Sequence, residues 1–359
     1  MTTDDDRHFL FERYKDPKEG SRRLRAYYRL RPLIPRPVQL AIRRAYAHRQ
    51  ARRSFPRWPI EDVLLERMYA ELRERAAAHD SRGAPLVNFW PGEHTFAFVL
   101  THDVEGQAGV ENIDRVREVE AARGLVSSWN FCAEQYPIPD GVFEGLRDAG
   151  CEIGLHGIDH RGHLFSSRAS FEAALPKIHR YMREWDAVGF RSPALHRNAD
   201  WMPELDCLYD SSFPDTDPYE PQPGGCCSIF PFFNGALVEL PVTLAQDHTL
   251  FEILRHDDIG VWRTKVEWIA RHHGLVNVIV HPDYMLTDER LALYAELLDL
   301  LVAHPGGWHA LPREVAEWWR TREGLRVEGD TVVGPGAERA GVVRARPEGE
   351  AMVIGPQPA

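Results

Sequence analysis

The sequence contains no CxxC pair, and its five cysteines (Cys132, Cys151, Cys207, Cys226 and Cys227) form no even framework. A disulfide-stapled scaffold is thereby excluded, and the thiols read as small apolar packing residues. No run approaches the ~18 consecutive apolar residues of a membrane span. The opening stretch, "MTTDDDRHFLFERYKDPKEG", is acidic and polar where a secretion signal needs a basic segment followed by an apolar one, so the expected compartment is the cytoplasm. Neither GxGxxG nor GxxxxGK[ST] occurs, which argues against a dinucleotide or P-loop site. A net charge of −11 argues against nonspecific nucleic-acid binding. One absence is local: Ser21 to Ile60 carries twelve arginines and no acidic residue.

What is present is enough for a large core, since 43% of 359 residues are hydrophobic. Residues 1–90 read as an Arg-rich helical extension interrupted at "RPLIPRP" and "FPRWP", because proline ends helices. From Phe96 the rhythm changes. Short apolar runs alternate with helix-length amphipathic stretches: "FAFVLTHD" then "GVENIDRVREVEAARG", "LVSSWNF" then "DGVFEGLRDAG", "CEIGLHG" then "SRASFEAALPKIHRYMREW". The series continues through "AVGFRSP", "LVELPVTL", "LVNVIVHPD" and "GWHALP". Repeated strand–helix units predict a parallel (β/α) barrel over 91–323, and 324–359 reads as a short β-rich segment with glycine turns.

In such a barrel, chemistry gathers where strands end. The first strand ends at Asp103 and Glu105, two positions apart and so on one side of an extended chain. The third ends in "GLHGIDH", which offers His156 and His160. Later ends offer Arg191 in "GFRSPALHRN" and His281 in "VIVHPD". A His-x3-His pair alone is usually ordinary packing, Arg191 alone a structural ion pair, and His281 alone a histidine at the core edge. Four successive strand ends with polar groups in this order form a pattern that two imidazoles and a carboxylate would complete as a divalent-metal site.

"THDVE", "HGIDH", "FRSP" and "VIVHPD" resemble the ordered motifs of the polysaccharide deacetylases of the NodB-homology group, over about residues 95–315. The resemblance implies a distorted (β/α)7 barrel and a metal-dependent hydrolase removing acetyl groups from an amino sugar or glycan precursor. In the common form of the first motif two adjacent aspartates act as base and metal ligand. Here Val104 follows Asp103, and the chain is similar instead to a branch spaced Asp-x-Asp, with Glu105 one methylene longer than the usual ligand. The implied roles are Glu105, His156 and His160 on a divalent metal, most naturally zinc, whose bound water is the nucleophile. Asp103 would be the base, Arg191 its partner and His281 the acid. Asp247 would orient His281, with Asp215, Asp217 and Asp283 as competitors. Backbone N–H groups at Ala194 or Leu195 would meet the oxyanion, and His196 with the aromatic-rich loop "YDSSFPDTDPYEPQPGGCCSIFPFF" would form a substrate wall.

Two other readings compete, a hydrolase of a cyclic amide and a non-catalytic glycan- or lipid-binding protein on the same barrel. Relatives that open cyclic amides typically lose part of the metal set, whereas both histidines of "HGIDH" are here. The Arg22 to Arg57 segment has two readings of its own. Its helix "PVQLAIRRAYAHRQARR" could pack Val38, Leu40, Ile42 and Tyr46 on the barrel, or its charges could meet anionic lipid or the phosphates of a carrier-linked sugar.

Overall fold

The structure is a computed structural model and describes residues 3–15, 34–79, 82–349 and 351–356. Arg22, Arg23, Arg25, Arg29 and Arg31 of the basic segment lie outside the described residues. Among those described, no helix is long and apolar enough to cross a membrane.

Seven parallel strands make the barrel: β2 (Phe96–Val104), β3 (Ser128–Phe131), β4 (Glu152–Leu155), β5 (Gly189–Phe190), β6 (Tyr209–Asp210), β8 (Leu237–Glu239) and β9 (Leu275–Val280). Strand β7 (Phe232–Asn234) is an antiparallel hairpin partner of β8. The pairing runs β2-β3-β4-β5-β6-β8, and β9 joins the other edge of β2. Between β8 and β9 the ladder gives way to single bonds, from Leu244 N–H to the Asn277 carbonyl at 3.2 Å and from the Thr243 hydroxyl to the Leu275 carbonyl at 2.7 Å. The result is a curled, incompletely laddered (β/α)7 barrel. All nine residues of β2 are buried, as expected of a central parallel strand covered on both faces. β10 (Gly307–His309) pairs with the first half of β2 and β3 with its second half.

The helices follow their sequence signals. α4 (Gln107–Glu111) and α5 (Ile113–Ala121), and then α6 (Val142–Asp148), lie between successive strands. α7 (Arg168–Glu184) starts at Ser167, whose hydroxyl accepts from Ser170 N–H, and α9 (Asp288–Ala303) starts at Thr287 in the same way. α8 (Gly260–Arg271) buries Trp262, Val266 and Ile269 against the barrel, and α10 (Pro312–Glu323) opens on a proline at its first position. A π-helical turn, His248–Ile253, follows β8.

The two ends of the chain depart from a plain helix-then-barrel-then-strand layout. Residues 1–90 are not all helix: after α1 (Asp4–Leu10), α2 (Arg36–Gln50) and α3 (Val63–Ala77), Ala84–Val87 form β1. β1 pairs antiparallel with β13 (Val342–Glu348), which pairs with β14 (Ala351–Gly355), while β11 (Arg326–Glu328) and β12 (Thr331–Val333) form a separate hairpin. Leu65, Tyr69 and Leu72 of α3 share a buried cluster with Ala345, Met352 and Ile354. The extension also clamps loops at the C-terminal rim of the barrel strands. Glu12 accepts from Arg197 Nη2 and Nε at 2.6 and 2.7 Å, the Tyr14 hydroxyl donates to the Gly225 carbonyl at 2.7 Å, and Arg43 and Arg44 donate to the carbonyls of Tyr219 and Glu252, both at 2.9 Å.

Candidate active site

β2 brings two carboxylates to the rim, and the pleat separates them from their neighbour. His102 points the other way, into the helical layer, where Nε2 lies 2.7 Å from Glu120. Glu120 also accepts from the hydroxyls of Ser127 and Tyr294, both at 2.6 Å, so His102 belongs to a closed structural network.

Asp103 is 2% exposed. Its Oδ1 accepts from the Asn130 amide of β3 at 2.9 Å and from Arg191 Nη1 at 3.2 Å. The guanidinium is itself fixed: Nε and Nη2 donate to the Ser211 carbonyl and hydroxyl at 2.7 and 2.8 Å, and Nη1 also donates to the Thr101 hydroxyl at 2.7 Å. Burial alone would raise the Asp103 carboxyl, but Arg191, then His156 and His281, hold it below the usual carboxylate range.

Glu105 leaves β2 on the same side. Its Oε1 lies 2.7 Å from His160 Nε2 and 3.8 Å from His281 Nε2. Burial opposes its charge, yet His160 foremost, with His281 and His156, keeps its pKa well below the ordinary value. His156, just past β4, donates from Nδ1 to the Arg191 carbonyl at 3.1 Å, and the same nitrogen is 3.9 Å from Asp103 Oδ2. That tautomer leaves a lone pair on Nε2, which is buried without a hydrogen-bond partner. Burial, only partly opposed by Asp103, lowers the His156 pKa to about 4, so the ring is neutral at pH 7.

One donor atom each from Glu105, His156 and His160 lies within 4.8 Å of the other two. A buried imidazole nitrogen without a partner is costly unless something occupies the space before it. Two nitrogens and one oxygen also match the three-ligand set of a zinc site that keeps an open position, so these residues fit a divalent metal.

His281 follows β9. Asp247 holds it twice, accepting from the His281 backbone N–H at 2.9 Å and lying 2.6 Å from Nδ1. Burial would lower the pKa of His281, but Asp247 overrides it, with help from Glu105 and Asp103, and the pKa rises to about 10. The competing aspartates are engaged elsewhere. Asp215 pairs with Lys265, Asp217 accepts from Tyr219 N–H at 2.7 Å, and Asp283 accepts from the N–H groups of Glu105 and Gly109 at 2.9 and 3.1 Å.

On the substrate side one expectation narrows and another needs correction. Ala194 and Leu195 both have left-handed backbone, with φ of 55° and 49°, and the Leu195 N–H already donates to the Ser192 carbonyl at 3.0 Å, which leaves the Ala194 N–H as the candidate oxyanion donor of the two. The aromatics of the 209–233 loop are core rather than a sugar platform: Tyr209, Phe213, Tyr219 and Phe232 are buried, and Phe230 stacks on Phe89 at 4.7 Å. His196 is buried as well. Sequence reasoning missed Asn130, Ser211 and Tyr284. Asn130 and Ser211 do stand at the ends of β3 and β6, a signal that the strand-end rule could have caught.

No protein-family model matches the sequence, and no curated protein is similar to it in sequence. Its structure is similar to that of a protein from Mycobacterium smegmatis provisionally called a polysaccharide deacetylase, with a TM-score of 0.52 and 19% identity over 68% of this chain and 96% of that one. A protein from Pseudomonas aeruginosa, provisionally given the same description, superposes with a TM-score of 0.51 and 15% identity over 67% and 97%. PuuE allantoinase superposes equally well, with a TM-score of 0.52 and 14% identity over 67% and 97%. The chain has the fold of the NodB-homology polysaccharide deacetylases, a fold that an allantoinase shares.

Proposed function

We propose that this chain, built on the polysaccharide-deacetylase barrel, is a metal-dependent hydrolase that removes an acetyl group from an acetylated amino sugar or glycan precursor. The observation that carries the reading is the convergence of Glu105, His156 and His160 beside two separately supported groups, Asp103 on Arg191 and His281 on Asp247. A divalent ion such as zinc, when held by Glu105, His156 and His160, supplies Lewis acidity toward a carbonyl and lowers the pKa of water.

The protein's own residues divide the proton work. Asp103, kept ionised by Arg191 and Asn130, accepts the proton that water gives up as it attacks the acetyl carbon. Both of those donors sit on Oδ1, which leaves Oδ2 as the accepting oxygen. His281, held cationic by Asp247, gives a proton from Nε2 to the departing amine. Its Nδ1 is committed to Asp247, so only Nε2 faces the reaction.

The cyclic-amide alternative uses the same barrel, and the complete donor set supports deacetylation over it. Purified protein reconstituted with zinc and offered acetylated amino-sugar conjugates should release acetate. Ring opening of a cyclic amide without acetate release would replace this reading, and absence of both activities would favour a binding role.

A further inference from the structure

α2 carries two apolar faces, and among the described residues only one is covered. Leu40 and Ala47 pack with Tyr219 and Ile253, and Gln50 donates to the Glu220 carbonyl at 3.3 Å, which seats that face on the catalytic-rim loops. Arg43 and Arg44 are spent there too, on loop carbonyls. Among the described residues, the opposite face joins no buried cluster. Val38, Ile42 and Tyr46, spaced four apart, are 48%, 45% and 49% exposed, so they do not pack on the barrel. Ala41 and Ala45 fill the stripe between them, and Arg49 and Arg52 extend it, all exposed.

We propose that this outer face of α2 is a docking surface for an anionic lipid bilayer. An apolar stripe bordered by arginines and free of acidic residues is the composition of a helix that lies in the headgroup boundary. Charge selects the occupant. The 16–33 segment that precedes the helix bears five arginines and only three charged residues of other kinds, Asp16, Lys18 and Glu19, so its charge has the same sign as this face and does not complement it. A second copy of α2 would set arginine against arginine. Anionic headgroups answer the charge, and the bilayer interior takes the side chains of Val38, Ile42 and Tyr46. Because α2 rests on the His248–Ile253 turn, directly after the Asp247 that holds His281, docking would bring the catalytic rim to the membrane surface.

The test is co-sedimentation of the full chain with vesicles of equal parts phosphatidylglycerol and phosphatidylcholine, or of phosphatidylcholine alone. Binding is expected only to the anionic vesicles at about 0.1 M salt, and it should be lost at about 1 M, where screening shortens to ~3 Å. Arg49→Gln and Arg52→Gln should each weaken partitioning about fivefold. The pair Ile42→Glu and Tyr46→Glu should weaken it at least about tenfold. All four positions are exposed, so thermal melts of the variants should match the parent. Equal recovery with both vesicle types would overturn the proposal, as would binding that the Ile42→Glu, Tyr46→Glu pair leaves intact. A dimer in sedimentation velocity that the same pair dissolves would assign the face to a second copy instead.

Discussion

The Tyr284 hydroxyl donates to Glu105 Oε2 at 3.0 Å, while the neighbouring Asp283 accepts the Glu105 backbone N–H at 2.9 Å. One turn after β9 thus grips both the main chain and the side chain of the residue that departs from the common motif. The grip turns Oε1 toward His160 and restrains the extra methylene. Tyr284→Phe should therefore weaken zinc binding about 10–100-fold, measured by chelator competition, with little change in melting temperature. An unchanged zinc affinity would show that Glu105 orients itself without help.

Asp103 and Glu105 share a side of β2 but should fail differently. Asp103→Asn is expected to retain zinc and lose about 10²–10⁴-fold in turnover, whereas Glu105→Gln should lose zinc. Metal analysis of the two purified variants separates the roles, and the reverse pattern would exchange them.

His281→Ala and Asp247→Asn should both lower turnover with zinc content unchanged, because neither side chain belongs to the donor set. The deficit should be larger for a substrate with a poor leaving amine than for an aryl acetate, whose leaving group needs little protonation. Equal losses on both substrates would remove His281 from leaving-group protonation.

A buried acid pair makes stability depend on pH. Asp210 and Glu239 face each other across β6 and β8. Burial first, then Asp210, raises the Glu239 pKa well above its ordinary value, and burial raises Asp210 as well. The folded chain therefore keeps a proton that the unfolded chain releases above about pH 4.3. The pair's contribution is complete below that pH and declines as pH rises toward the folded pKa. Glu239→Gln imitates the protonated acid: its oxygen can still accept from Ser212 and Phe213 N–H, as Oε1 does at 3.1 and 3.0 Å, and its amide can donate to Asp210. Melting temperature followed from pH 5 to 9 should fall less steeply in the variant, and parallel curves would refute the shared proton.

The Glu12–Arg197 pair ties α1's following turn to the loop after Arg191, and both side chains are buried, at 5% and 1% exposure. Glu12→Ala should cost about 3–5 kcal/mol in urea unfolding, since it strands a buried guanidinium. A loss under about 1 kcal/mol would mean that the clamp opens and Arg197 reaches water.

Much of the barrel and its rim is legible in the sequence because both depend on short-range periodicity. Strand–helix alternation predicts parallel strands, and their C-terminal ends then share a face, so Asp103, Glu105, His156, Arg191 and His281 can be picked out one strand at a time. The same pleat sends His102 away from its neighbours, to Glu120. What only the tertiary structure decided are choices among chemically equal candidates. Asp247 rather than Asp215, Asp217 or Asp283 meets His281, because the chain from β8 turns there into a π-helical segment beside β9. Nothing in the spelling of the four aspartates distinguishes them; Asp215, Asp247 and Asp283 are committed by partners distant in sequence, and Asp217 by the nearby Tyr219 N–H. The aromatic loop went inward, and half of α2 stayed outward, for the same reason. Burial depends on which surfaces the rest of the chain covers, and no local period encodes that.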